Sequence, residues 1–231
     1  MLNQMISMLY KKHIPIINKV YDTYWKFAAE RQNIFFNRLN QIKYPWTNDH
    51  ILNKYKFTNA YRASDRVSQF LIKHIIYKGD QSPEEVFFRI ILFKTFNKIE
   101  TWKLIEEKLG EVRYADYSFE VYEKVLMHAV QSGKAIYSGA YIMASGKNNF
   151  GYDLKFKNHL RLIELLMKNE VPQKITGFKK MEDVYNLLIS YPSIGSFLAY
   201  QYAIVQYPIV ISNFFPYTKS NYGASPVVPN G

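Results

Sequence analysis

SPEEVFFRIILFKTFN, residues Ser82 to Asn97, is the stretch from which the fold is read. Ser-Pro-Glu-Glu is a helix start: Ser82 serves as N-cap, Pro83 takes the first helical position, and Glu85 follows three residues after the cap. Apolar residues then occupy nearly every position to Phe96, so no face is left for water and the helix must lie inside. A helix buried on all sides needs other helices around it.

The flanking sequence supplies them. Helical spacing of apolar residues runs over Val20–Arg38, Asn59–Tyr77 with a stop at Gly79, and Lys98–Leu109 with a stop at Gly110. Further helices are expected within Tyr117–Ala144, broken at Ser132–Lys134, and over Asn158–Lys168 and Met181–Ser190. KYPWTNDHIL interrupts the pattern: Pro45 ends one element and Thr47 or Asn48 caps the next, with Asp49 in its first turn. SGKNNFGYDLKFK, with Gly146 and Gly151, reads as loop. The expectation is an all-α fold with one helical domain over 20–211. An N-terminal segment (1–19) precedes it, and a tail rich in Gly, Pro, Ser and Asn (212–231) follows, which is expected to be disordered.

Bulk chemistry narrows the function. Lys and Arg number 30 against 19 Asp and Glu, a formal charge of +11, which favours a polyanionic partner. Hydrophobic residues make up 48% of the 231, enough for a sizeable core. With no cysteine, disulfides and thiolate metal sites are excluded, and a cytoplasmic protein is expected. The N-terminal apolar run is too short for a signal peptide. No charge falls between Asp183 and Lys219, but Gln201, Gln206, Pro208 and Asn213 interrupt that segment. It reads as a core helix, and no membrane partner is expected. The five histidines show no metal-ligand spacing, so each reads as a surface or satisfied core residue and no metal is expected. No phosphate-loop, dinucleotide or nucleophile-elbow motif is present, and no cofactor is expected.

Four features carry chemistry. In FTNAYRASDRVSQFLIK, helical spacing puts Thr58, Arg62, Asp65, Arg66 and Gln69 on one face, two guanidiniums around one carboxylate; the alternative is a solvated face with a local ion pair. Arg89 lies inside the apolar helix and must be paired. Asp65 or an anionic substrate group is the candidate partner, either as an Arg–Asp staple between helices or as part of a phosphate clamp with Arg62, Arg66 and Lys94. Asn97 follows two turns beyond Arg89. From Arg31 to Lys73 eight basic and two acidic residues interleave with Phe35, Phe36, Tyr44, Trp46, Tyr55, Phe57 and Tyr61, a mixture that suits a groove for a nucleic-acid backbone and bases, or equally a core flanked by lysines. Finally YPSIGSFLAYQYA (Tyr191–Ala203) reads as a tight turn between helices. Its free N–H groups suit a DNA phosphate, with Pro192 fixing the entry and Gly195 clearing the approach, although P-x-x-G turns also occur without any ligand. Ser193 stands where such hairpins have their first glycine.

PWTNDHIL, FTNAYRASDRVSQ, FFRIILFKTFNKIETW and PSIGSFLAYQYA, in this order, resemble the helical domain of 5-hydroxymethyluracil DNA kinases and the related alpha-glutamyl/putrescinyl thymine pyrophosphorylases. The resemblance spans roughly residues 20 to 207. It implies a helical fold like that of helix-hairpin-helix DNA glycosylases and work on hydroxymethylated or phosphorylated thymine-derived bases in DNA, mostly of phages. In that chemistry an amine or amino acid displaces a phosphate or pyrophosphate from the base. By this resemblance Arg62, Arg66, Arg89 and Lys94 are the expected clamp and Asp65 the orienter or general base. Thr58, Asn59, Tyr61, Gln69, Asn97, Trp46, Ser193 and Gly195 are the expected substrate and DNA contacts. The family pattern has an acidic residue after QYAI, and this chain has Val205. A glycosylase excising modified bases, and a DNA-binding module without catalysis, are the alternative readings.

Overall fold

The computed structural model describes residues 18–60, 62–140 and 143–212, and among them every regular element is helical. In chain order these are α1 (Lys19–Leu39), α2 (His50–Lys54), a 3₁₀ turn (Arg62–Ser64), α3 (Arg66–Leu71) running into a π turn (Ile72–Ile76), α4 (Pro83–Phe96) and α5 (Ile99–Leu109). There follow α6 (Phe119–Gln131), α7 (Lys147–Phe150), α8 (Lys155–Lys168), α9 (Val171–Thr176), α10 (Met181–Ile189) and α11 (Ser196–Ser212). The chain divides between Asp65 and Arg66 into two compact units. The segment before Asn18, Tyr61, and the tail beyond Ser212 lie outside the described residues.

In the larger unit α4 is the axis. Every residue from Glu85 to Phe96 is buried, and α8, α9, α11 and the π turn surround it. Its start falls where the sequence signal puts it, although the Ser82 side chain makes no cap hydrogen bond. Ser82 is extended and its carbonyl accepts from Val86 N at 3.0 Å, while Pro83 opens the helix. At the other end Asn97 takes a left-handed φ of 47° and closes it. The α10–α11 pair packs along the Tyr191–Gly195 turn, with Leu198, Ala199, Tyr202 and Ala203 inside. Among the described residues no helix is long and apolar enough to cross a membrane.

In the smaller unit, α1 has the side chain of Asn18 as its cap, accepting from Tyr21 N at 2.9 Å. None of its residues is fully buried, and Val20, Tyr24, Trp25 and Phe36 stand exposed.

Four expectations need correction. The cap of α2 is Asp49, whose carboxylate accepts from Ile51 N (2.8 Å) and Leu52 N (3.0 Å); Thr47 instead accepts from Asp49 N. The helix expected from Asn59 starts only at Arg66, because Asn59 Nδ2 bonds the Ser64 carbonyl at 2.7 Å and holds a turn there. The helix expected to resume after Ser132–Lys134 ends at Gln131, with Gly133 left-handed at φ 73°. Beyond it the backbone finds partners elsewhere: Ser138 N donates to Phe96 O and Ile136 O accepts from Thr101 Oγ1. The loop expected after Ser145 contains one helical turn, α7, between left-handed Gly146 and Gly151. The six-residue α9 was too short to show a period in the sequence.

Candidate nucleic-acid interface

In the smaller unit, α1 and the strap from Tyr44 to Asn59 enclose a pocket of about 550 Å³. Trp46, Thr58 and Asn59, three of the expected contacts, line it together. The strap is fixed by its own polar groups. Asn37 Nδ2 donates to Trp46 O (2.8 Å), Trp46 Nε1 to Ile42 O (2.8 Å), and Asn53 Nδ2 to Thr47 O (2.7 Å). Thr47 Oγ1, buried, donates to Glu30 at 2.5 Å. The Tyr44–Pro45 peptide is cis.

Arg31, Arg38, Lys54 and Lys56 line this pocket, and no Asp or Glu does. Each of the first three lies against an aromatic ring. Arg31 sits over Phe27 and Phe57 (5.3 and 5.9 Å), Arg38 over Trp46 (5.1 Å) and Lys54 over Tyr55 (5.3 Å). Arg31 also donates to the carbonyl and hydroxyl of Thr58, which ties the end of the strap to α1. The sequence showed this stretch as basic and aromatic but did not single out these four cations, because interleaving in one dimension does not say which rings face a cavity.

The remaining expected residues are distributed as follows. Asp65 ends the smaller unit, and Arg66, exposed, opens α3 with Gln69 half-buried further along. Arg62 lies in the 3₁₀ turn, its side chain outside the described set, as is Tyr61. Arg89 is buried and committed within its own unit: Nε donates to Ile75 O (3.1 Å), Nη2 to Asp80 O (2.6 Å), and Glu85 Oε2 lies 3.7 Å from Nη1. The carboxylate beside Arg89 is therefore Glu85, where sequence reasoning had named Asp65. Burial pushes the Arg89 pKa down and the neighbouring carboxylates push it back up, which leaves a charged, internally paired guanidinium. Lys94 and Asn97 are brought together and buried, with Nζ donating to Oδ1 at 3.1 Å.

The Tyr191–Gly195 turn also rests on polar anchors that the sequence did not reveal. Ser193 takes a left-handed φ of 64°, a glycine-like conformation at the position where the motif expects glycine. Its hydroxyl accepts from Asn149 Nδ2 at 2.9 Å. Gly195, by contrast, has open space where a Cβ would stand and no positive φ, so the fold itself does not require glycine there. On α8, fully buried Asn158 donates to Ser145 O and Tyr152 O (2.8 Å each) and accepts from Tyr152 N (3.0 Å). His159, next to it, bonds Tyr137 and Ala144, the satisfied core histidine that the sequence allowed. An Asn-His pair on the apolar side of α8 was the available signal. Val205, where the family pattern has an acid, lies half-buried against the core.

A second cleft, about 850 Å³, lies in the larger unit between Tyr114, Asn149, Tyr152, Arg161 and Lys168. Glu164 also lines it and pairs with Arg161 at 2.6 Å, so its positive potential is partly cancelled. The smaller unit's pocket is the better fit to a polyanion. Among the described residues no cluster of His, Asp and Glu is disposed to hold a metal ion.

Comparison with known proteins agrees with the helical architecture. The family model for the 5-hmdU DNA kinase helical domain matches residues 18–223. A 5-hmdU DNA kinase of Bacillus phage SP10 is 26% identical over 196 residues, which cover 80% of this chain and 30% of that protein. No solved structure matches.

Proposed function

We propose a function from one premise: this chain belongs to the family of 5-hmdU DNA kinase helical domains. The proposal is that it binds DNA carrying 5-hydroxymethyluracil or a phosphorylated derivative and takes part in modifying that base. The observation that carries it is the pocket of the smaller unit, with four cations and several aromatic rings along its wall and no carboxylate. The chain spans less than a third of the phage relative, so the phosphoryl transfer in that relative's name is not assigned to these residues.

In a displacement, the bond from the base methylene carbon to the phosphate oxygen breaks, a carbon–nitrogen bond forms, and the amine loses its proton. Within the smaller unit, Arg62 is proposed to hold the departing phosphate, and Asp65 to orient the amine or accept its proton. Arg89 and Lys94, both buried and bonded within their own unit, are proposed to support α4 rather than touch the phosphate.

The test incubates the full chain with duplex DNA containing hydroxymethyluracil or its phosphorylated form, with amines and ATP in separate reactions. Mass spectrometry of the released nucleosides then separates phosphorylation, amine transfer and base loss. Conversion of the modified base supports the reading, and unchanged bases in every reaction leave a binding role alone. A dissociation constant that does not rise with salt would overturn the DNA assignment itself.

A further inference from the structure

A duplex hides the faces of its bases in the stack and shows a protein only edges and phosphates. The pocket between α1 and the 44–59 strap is furnished for faces. Tyr44 and Trp46 meet edge to face, with centroids 5.3 Å apart and planes at 89°, so two ring surfaces at right angles form one corner. Tyr44 is 59% exposed and Tyr55 is 55% exposed, although both line a concavity where apolar surface gains from cover. About 550 Å³ lies within the range that accepts a nucleotide-sized ligand.

The rim adds charge and hydrogen-bond acceptors. Arg38 makes its ring contact with Trp46 and has no carboxylate partner among the described residues. Lys54 and Lys56 follow on the same strap. Asn53 and Asn59 each commit Nδ2 to a backbone carbonyl, which leaves an amide oxygen to accept a proton from a ligand. A uracil-type base offers one such proton, its ring imide N–H. The bonds of Asn37, Thr47 and the Trp46 indole hold the wall in place before any ligand arrives, so ordering it on binding costs little.

We propose that this pocket binds one unpaired pyrimidine deoxynucleotide of a DNA strand. The base lies in the Tyr44–Trp46 corner, stacked on one ring with its edge to the other and Tyr55 beside it, and the adjoining phosphates lie on Arg38, Lys54 and Lys56. The domain therefore favours single-stranded or locally opened DNA over closed duplex. This rests on the DNA-binding reading above and goes beyond it by naming the site and the state of the strand.

The experiment measures fluorescence anisotropy of the full chain with three labelled DNAs of equal length: an oligothymidylate, the same strand with abasic residues at its centre, and a closed duplex. The thymidylate strand is expected to bind roughly tenfold or more tightly than the abasic strand, which keeps every phosphate and lacks only the rings. Trp46→Leu and, separately, Tyr55→Ala are expected to erase most of that difference. Tyr55 is exposed and on the strap's surface, so its variant keeps the test valid where Trp46→Leu disturbs folding. Equal affinity for thymidylate and abasic strands, or tighter binding of the duplex, overturns the proposal and leaves general DNA binding intact. Failure to bind any of the three at low salt overturns both.

Discussion

Glu85 and Arg89 face each other at 3.7 Å, one turn apart, inside the most buried helix of the protein. The same Glu85 carboxylate accepts the backbone N–H groups of Tyr114 (2.8 Å) and Ala115 (3.1 Å). One acid thus neutralises a buried guanidinium and anchors the loop after α5, while the guanidinium ties down the carbonyls of Ile75 and Asp80.

The two members of this pair should not be equally costly to remove. Glu85→Ala leaves a buried cation without its counter-charge and orphans two N–H groups, a loss of about 3–5 kcal/mol. Arg89→Met leaves Glu85 still bonded to two N–H groups, and about 2–3 kcal/mol is expected. Urea unfolding followed by circular dichroism measures both; equal midpoints would show that the loop anchor contributes nothing.

This pair also marks how far the sequence could be read. That Arg89 needed a partner followed from the apolar run around it, and so did the burial of α4. Which acid answers it did not, since Glu85 was already accounted for as a helix-start residue and its second role depends on a loop 29 residues away. The helix ends at Ser82-Pro83 and Gly110 were legible because starts and stops are local chemistry, whereas Asn97, which closes α4, reads in the sequence only as a polar contact. The irregular stretch after Gln131 was not, because its partners are Phe96, Thr101 and His159, all distant in sequence. The pocket shows the same limit: composition announced basic and aromatic residues, and only folding selected those that share a cavity.

His159 gives the protein a stability term that depends on pH. Burial pushes its pKa down to about 4, and Nε2 donates to Ala144 O (2.8 Å), so Nδ1 is the acceptor for the Tyr137 hydroxyl (2.7 Å). An unfolded histidine titrates near 6.5, so below that pH the unfolded chain holds the extra proton. The contribution is therefore complete above about pH 6.5, declines as pH falls toward 4, and amounts to about 3 kcal/mol. Urea midpoints should drop between pH 7 and pH 4.5, and His159→Gln should flatten that drop. An unchanged pH dependence in the variant would assign it to other groups.

Asn158 is expected to be among the least replaceable polar residues. Its fully buried amide makes three hydrogen bonds, joining α8 to both ends of the Ser145–Tyr152 stretch. Asn158→Ala removes all three and orphans buried backbone groups, and a loss of about 3 kcal/mol or more follows. Asn158→Asp keeps the acceptor but loses both donors, so it should rescue little. Thermal unfolding of the two variants side by side checks this, and near wild-type stability for Asn158→Asp would contradict the bonding pattern.

Ser193 tests the turn at the head of α11. Its left-handed φ of 64° carries a penalty of about 1–2 kcal/mol that glycine does not have. Against that stands the bond from Asn149, about 1 kcal/mol, which also fastens the turn to α7. Ser193→Gly removes both terms and should leave stability within about 1 kcal/mol of the parent. Ser193→Ala keeps the strain and loses the bond, so it should be the weaker of the two by about 1–2 kcal/mol. Asn149→Ala should match the bond term alone. Urea midpoints for the three variants order these effects, and a Ser193→Gly variant no more stable than Ser193→Ala would mean that the hydroxyl, not the backbone angle, governs the turn.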